Sequence, residues 1–156
     1  IPRKGAEVAE ITEKNMRDVL EVRKALEELA VQLACEKITD EEIEEMKKAA
    51  EEFKMILKSK DITEIAEADV RFHDIFTWQR IIRKLILLLN NLREQMYRYR
   101  VEYLKREEAY PQLIAEHAAI IEYISKGEKK AATDVMCKHI DNQVTTVIDV
   151  IRTKQN

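Results

Sequence analysis

Two glycines and two prolines are all that the 156 residues contain. Average usage would put about 12% of a chain into these two residue types. They build the tight reversals of sandwiches and barrels, so a chain this poor in both does not suit an all-β fold. It suits long helices joined by a few short connections. A hydrophobic share of 46% is enough for a packed core and argues against disorder, while 37% of residues are charged. The length fits one domain.

Hydrophobic spacing divides the chain into six helical segments, with no convincing strand. The first, 13–37, follows Thr12 as N-cap and sets Met16, Leu20, Leu26, Ala30 and Leu33 on a helical stripe. The second opens on Thr39-Asp40-Glu41-Glu42. This is a capping box, in which the Thr hydroxyl accepts the N3 amide proton and the Glu reaches back. Ile43, Met46, Ala50, Phe53 and Leu57 then share one face. The third begins after Asp61, carries Ile65, Asp69, Phe72, His73 and Phe76 along one side, and ends near Trp78.

The fourth segment, 79–106, starts apolar nearly all round (Ile81, Ile82, Leu85, Ile86, Leu88, Leu89) and turns amphipathic at Leu92, Met96, Tyr99 and Tyr103. A helix apolar on several faces needs more than one packing partner. It is expected to be the central helix or part of a dimer interface. The fifth has Pro111 in its first turn and stops at Gly127. The sixth covers 128–152. Short connections favour antiparallel neighbours. The expected fold is therefore all-α, an antiparallel bundle of about six helices over residues 12–156. Residues 1–11 lack helical periodicity and look like the end of another unit.

Several classes drop out. The longest aliphatic run, 85–89, is far short of the about 20 residues of a membrane span. No leader-like apolar stretch follows Ile1-Pro2-Arg3-Lys4-Gly5, and a cytoplasmic location is expected. A net charge of −3 does not suit a nucleic-acid binder in its own right. Cys35 and Cys137 have no CxxC partner and read as small buried hydrophobes.

The three histidines, His73, His117 and His139, each lie on the apolar stripe of a different helix. Asp69, four residues before His73, shares its face. A buried imidazole needs a partner for its polar atoms. Two readings of these residues stay open. They are hydrogen-bonded core residues, or they form a set of three nitrogens and one oxygen that suits Zn²⁺, Ni²⁺, Mn²⁺ or Fe²⁺ in a bundle core. Enzyme motifs fail on spacing. Val70, Ile114 and Met136 stand where a di-iron bundle needs Glu-x-x-His, and His-Glu-x-x-His is absent. His73-Asp74 lacks the upstream histidine of HD phosphohydrolases, and no Gly-rich phosphate loop can be built. Cys137 and His139, two apart on a helix, face different ways. Arg23 lies between Leu20 and Leu26, and Arg98 and Arg100 alternate with tyrosines. At least one is expected to face inward, where a guanidinium can grip a carboxylate.

Four segments carry a family resemblance: Glu21-Val22-Arg23-Lys24-Ala25-Leu26-Glu27, Asp69-Val70-Arg71-Phe72-His73, Glu116-His117-Ala118-Ala119-Ile120 and Met136-Cys137-Lys138-His139-Ile140. Together they resemble the FCD domain, the effector-binding C-terminal domain of the FadR branch of GntR-type transcription regulators, over about residues 16–152. The resemblance implies an antiparallel helical bundle that dimerises and does no catalysis. It implies a divalent metal on Asp69, His73, His117 and His139, and a small carboxylate effector gripped by Arg23 and Arg100. Residues 1–11 would be the last of a winged-helix wing and its linker. Operator DNA would be met only through that head. One departure is visible: Thr77-Trp78-Gln79-Arg80 is shorter than the family's Ser-Gly-Asn-like turn and lacks its glycine. The alternatives are a metal-dependent helical enzyme and a plain dimerisation bundle with inert histidines.

Overall fold

A computed structural model describes residues 12–77 and 90–154. Among these residues the chain forms six α-helices and no strand: α1 (Glu13–Lys37), α2 (Asp40–Ile56), α3 (Ile62–Thr77), α4 (Asn90–Leu104), α5 (Tyr110–Ser125) and α6 (Lys129–Lys154). The all-helical expectation holds. Two single 3₁₀ turns, Leu57–Ser59 and Glu107–Ala109, were not visible in the spacing. The apolar first half of the fourth segment, the turn from Trp78 to Arg80 and residues 1–11 lie outside the described residues.

The helix ends follow from local chemistry. Thr12 accepts the Asn15 amide proton at 3.2 Å and opens α1. Thr39 and Glu42 make the complete capping box of α2, with N···O distances of 3.2 and 2.8 Å. Asp61 accepts from the Thr63 and Glu64 amides and opens α3. Each cap satisfies donors that the helix itself leaves unpaired. At the end of α5 the chain turns through Gly127 at φ 67°. Gly127 N–H donates to Ile124 O and Glu128 N–H to Tyr123 O, the paired bonds of a Schellman motif.

α1 and α6 run antiparallel in a constant register. Glu13 meets Arg152, Lys24 meets Asp141, Glu28 meets Cys137, Gln32 meets Thr133 and Glu36 meets Lys129. Along these rungs one residue number rises as the other falls by the same amount. α1 also packs against α3, α4 and α5, so it is central to the bundle. The described part of α4 packs against α1, α3 and α6. Cys35 and Cys137 are only half-buried, which corrects the buried reading. Cys137 Sγ–H donates to Glu28 Oε1 on the α1–α6 rung.

The core has two apolar clusters. One gathers Met16, Leu20, Phe53, Ile65, Tyr103, Leu113 and Val147, and the other Ala30, Met46, Phe72, Phe76, Ile120, Met136 and Ile140. His117 touches Phe53 of the first and stacks on Phe72 of the second, at a ring separation of 4.0 Å. The polar residues of the next section lie at this junction.

Candidate functional site

Helical periodicity puts one histidine on each of α3, α5 and α6, and the packing of those helices brings them together. His73, His117 and His139 are all buried, with ring centroids 5.1–5.6 Å apart. One ring nitrogen from each lies within 4.8 Å of the others. Nε2 of His73 and Nε2 of His139 are 3.2 Å apart. Asp69, fully buried on α3, places Oδ1 3.2 Å from His117 Nε2 and 3.9 Å from His73 Nε2. The three histidines therefore gather at one point, with Asp69 beside His117 and farther from His73.

Two carboxylates turn two of the rings. His139 Nδ1 lies 2.7 Å from Glu116 Oε2, and His73 Nδ1 lies 3.4 Å from Glu27 Oε2. The Glu116 carboxylate also accepts from Gln112 and Asn142. A carboxylate on one ring nitrogen fixes the proton there and leaves the other nitrogen as a lone-pair donor. This is how protein metal sites orient imidazole ligands.

His117 is different. It is 1% exposed, and neither of its ring nitrogens has a hydrogen-bond partner. Both Asp69 oxygens and Arg100 Nε lack one too. Asp69 Oδ2 lies 2.6 Å from Arg100 Nε, where opposite charges hold the pair, and Oδ1 lies 3.2 Å from His117 Nε2; neither contact meets hydrogen-bond geometry. Buried polar atoms left without a hydrogen bond are unusual, because each costs about 1–3 kcal/mol; for Asp69 and Arg100 the ion pair offsets part of that cost.

The residues fit a divalent cation. Two nitrogens held about 2.1 Å from one zinc-sized ion, at octahedral to tetrahedral angles, lie about 3.0–3.4 Å apart. The His73–His139 nitrogens and the Asp69–His117 pair fall in that interval. Burial lowers the His73 pKa from 6.5 to about 4, against the pull of Glu27 and Asp69, and burial lowers that of His117 as well. These two rings are thus neutral near pH 7, the form that ligates. Burial works against the Asp69 charge, but Arg100 and the imidazoles keep its carboxyl well below the usual range.

The two inward arginines are both buried, Arg23 at 2% and Arg100 at 8% exposure, whereas Arg98 is half-buried. Arg23 Nη1 donates to Gln143 Oε1 at 2.5 Å and Nε to Glu27 Oε1 at 3.4 Å, while Nη2 is buried without a partner. Glu27, Glu116 and Gln143 were not picked out from the sequence. Gln143 did carry a signal, standing four residues after His139 on the same stripe. Cys137 makes no part of the site. Its thiol pKa is pushed up to about 11 by burial and by Glu28, so it is a poor nucleophile.

The chain is thus an all-helical bundle with buried imidazoles, carboxylates and guanidinium groups at its centre. The chain belongs to the FCD domain family, which matches residues 18–142. It is similar to the uncharacterized HTH-type transcriptional regulator YdhC of Bacillus subtilis (strain 168), 26% identical over 141 residues, which cover 90% of this chain and 63% of that one. It is also similar to the gluconate operon transcriptional repressor of Bacillus licheniformis, 22% identical over 160 residues, covering 99% of this chain and 66% of that one. The chain thus spans less than two-thirds of the length of either relative. No helix among the described residues is long and apolar enough to cross a membrane.

Proposed function

We propose that this bundle is the effector-binding and dimerisation domain of a FadR-branch GntR-type regulator, and that it senses a small carboxylate through a divalent transition metal. The observation that carries the reading is the convergence of three buried imidazoles whose ring nitrogens face one point beside a buried carboxylate. Asp69, His73, His117 and His139 hold the ion, which is Zn²⁺, Ni²⁺, Mn²⁺ or Fe²⁺. A bound ion of this kind supplies a Lewis-acid position for a carboxylate oxygen.

Glu27 and Glu116 orient the His73 and His139 rings, and Arg100 offsets the Asp69 charge. Arg23 offers its unpartnered Nη2 to an anion, a contact that guanidinium makes well with carboxylates. An effector bound there touches α1 and the groups presented by α3, α5 and α6. Tying these helices together favours one arrangement of a dimer over another, and differential affinity for two arrangements is what coupling requires. The effector domain is taken as residues 12–156, with a DNA-binding head joined through the segment before it. DNA is met only through the head, in the bacterial cytoplasm, where half-site spacing makes head separation matter. The domain performs no turnover.

Elemental analysis of the purified, tag-free protein tests this, beside an Asp69→Ala/His117→Ala variant. About one divalent ion per chain in the first and none in the second is expected. A thermal-shift screen of acetate, succinate, citrate and gluconate should then raise the melting temperature only when the ion is present. A wild-type protein that takes up no Zn²⁺, Ni²⁺ or Mn²⁺ after soaking sinks the metal reading.

A further inference from the structure

We infer that the side-chain amide of Gln143 caps the His139 lone pair while no ion is bound, and that it must yield this lone pair for a divalent cation to bind. The inference rests on the metal reading above. It starts from a chain of donors in which each bond fixes the next. Arg23 has only N–H donors, so the Gln143 atom 2.5 Å from its Nη1 is the amide oxygen. The other end of the same amide is therefore the NH₂ group, and it lies 3.0 Å from His139 Nε2. That nitrogen accepts, so the ring proton sits on Nδ1, where Glu116 Oε2 receives it at 2.7 Å. The order Arg23, Gln143, His139, Glu116 is a complete relay among residues that are each at least nine-tenths buried.

An imidazole nitrogen has one in-plane lone pair. It can accept an N–H or bind a cation, and it cannot do both. His139 Nε2 is the nitrogen that faces His73 Nε2 across 3.2 Å, so it is the one a shared ion needs. Gln143 is thus a competitor from within the fold. Its amide lies on His139 Nε2 in the empty bundle, beside the contact of that nitrogen with His73, whereas neither His117 nitrogen makes a hydrogen bond. Gln143 also connects two parts of the site. The amide that leaves His139 is held at its other end by Arg23, the guanidinium whose Nη2 is already without a partner. Gln143 is a positioning residue that makes ion binding and the state of Arg23 interdependent.

Competition titration of chelator-stripped protein with a chromophoric chelator and Zn²⁺ tests this. The proteins compared are wild type, Gln143→Ala and Gln143→Leu. Removing one competing neutral hydrogen bond should tighten Zn²⁺ binding by roughly three- to tenfold in both variants. A second readout needs no variant. In ¹⁵N-labelled wild type, the Gln143 side-chain NH₂ signals should shift on Zn²⁺ addition and lose protection from solvent exchange. Equal or weaker Zn²⁺ binding in both variants, or NH₂ signals unmoved by Zn²⁺, overturns the inference while leaving the metal site intact. Failure of the wild type itself to bind Zn²⁺ overturns both.

Discussion

Asp69 Oδ2 lies 2.6 Å from Arg100 Nε, across the contact of α3 with α4, and both side chains are withdrawn from solvent. Taking one partner from a buried ion pair leaves the other charge without compensation, at a cost of about 3–5 kcal/mol. Arg100→Leu should therefore lower the stability of chelator-stripped protein by about that amount in urea unfolding. The double variant Asp69→Asn/Arg100→Leu should lose less than the two single losses added together. An Arg100→Leu cost below about 1 kcal/mol would show that the pair does not hold in solution.

His117 packs against Phe53 and Phe72, and neither ring nitrogen makes a hydrogen bond, although Asp69 Oδ1 lies 3.2 Å from Nε2. A structural residue in that position would be better apolar, since unpaired buried polar atoms cost about 1–3 kcal/mol. His117→Leu should leave the metal-free protein as stable as the wild type, or about 1 kcal/mol more stable. It should abolish the thermal stabilisation given by Zn²⁺. The opposite signs separate function from packing. If the variant instead loses more than about 2 kcal/mol in chelator, the ring is a core residue with a partner.

The stripped protein should be acid-sensitive from well above the carboxylate range. Burial brings His73 to about 4 in the fold, from 6.5. For a base lowered by folding, the unfolded chain takes the proton first, so stability declines as pH falls from about 6.5 to about 4. Burial disfavours the Glu27 charge, yet His73, Arg23 and Arg100 together hold its pKa at about 2, below 4.5. Here too the unfolded chain protonates first, and the loss continues as pH falls from about 4.5 to about 2. Thermal melts in EDTA should show the melting temperature falling continuously below pH 6.5. A plateau down to pH 4.5 would mean that His73 is not buried as a neutral ring.

The helices and their ends were legible because each depends on neighbours in sequence. Thr12, Thr39, Asp61 and Gly127 all do in the fold what their local patterns announce. The grouping of Asp69, His73, His117 and His139 was legible only as four polar interruptions of three apolar stripes, together with family resemblance. What was not legible depends on contacts distant in sequence. Glu116 reaches His139 across 23 positions, Glu27 reaches His73 across 46, and Gln143 reaches Arg23 across 120. A glutamate or glutamine on a helix gives no local sign of whether it ends in water or against an imidazole. The half-buried state of Cys35 and Cys137 has the same origin, since it follows from how α1 meets α5 and α6.

Arg23 uses three directions of its guanidinium differently: Nε toward Glu27, Nη1 onto Gln143, and Nη2 toward no protein acceptor. An ammonium has no planar fork, so Arg23→Lys keeps the charge and loses this geometry. If Arg23 is an anion grip, Arg23→Lys should weaken binding of whichever carboxylate raises the wild-type melting temperature by at least tenfold, which is about 1.4 kcal/mol. Zn²⁺ uptake should stay near one ion per chain, because Arg23 contributes no lone pair. Isothermal titration of Zn²⁺-loaded protein with that carboxylate measures the first, and elemental analysis the second. Loss of both together would make Arg23 a support for the imidazole cluster. Unchanged carboxylate affinity would move the anion site away from α1.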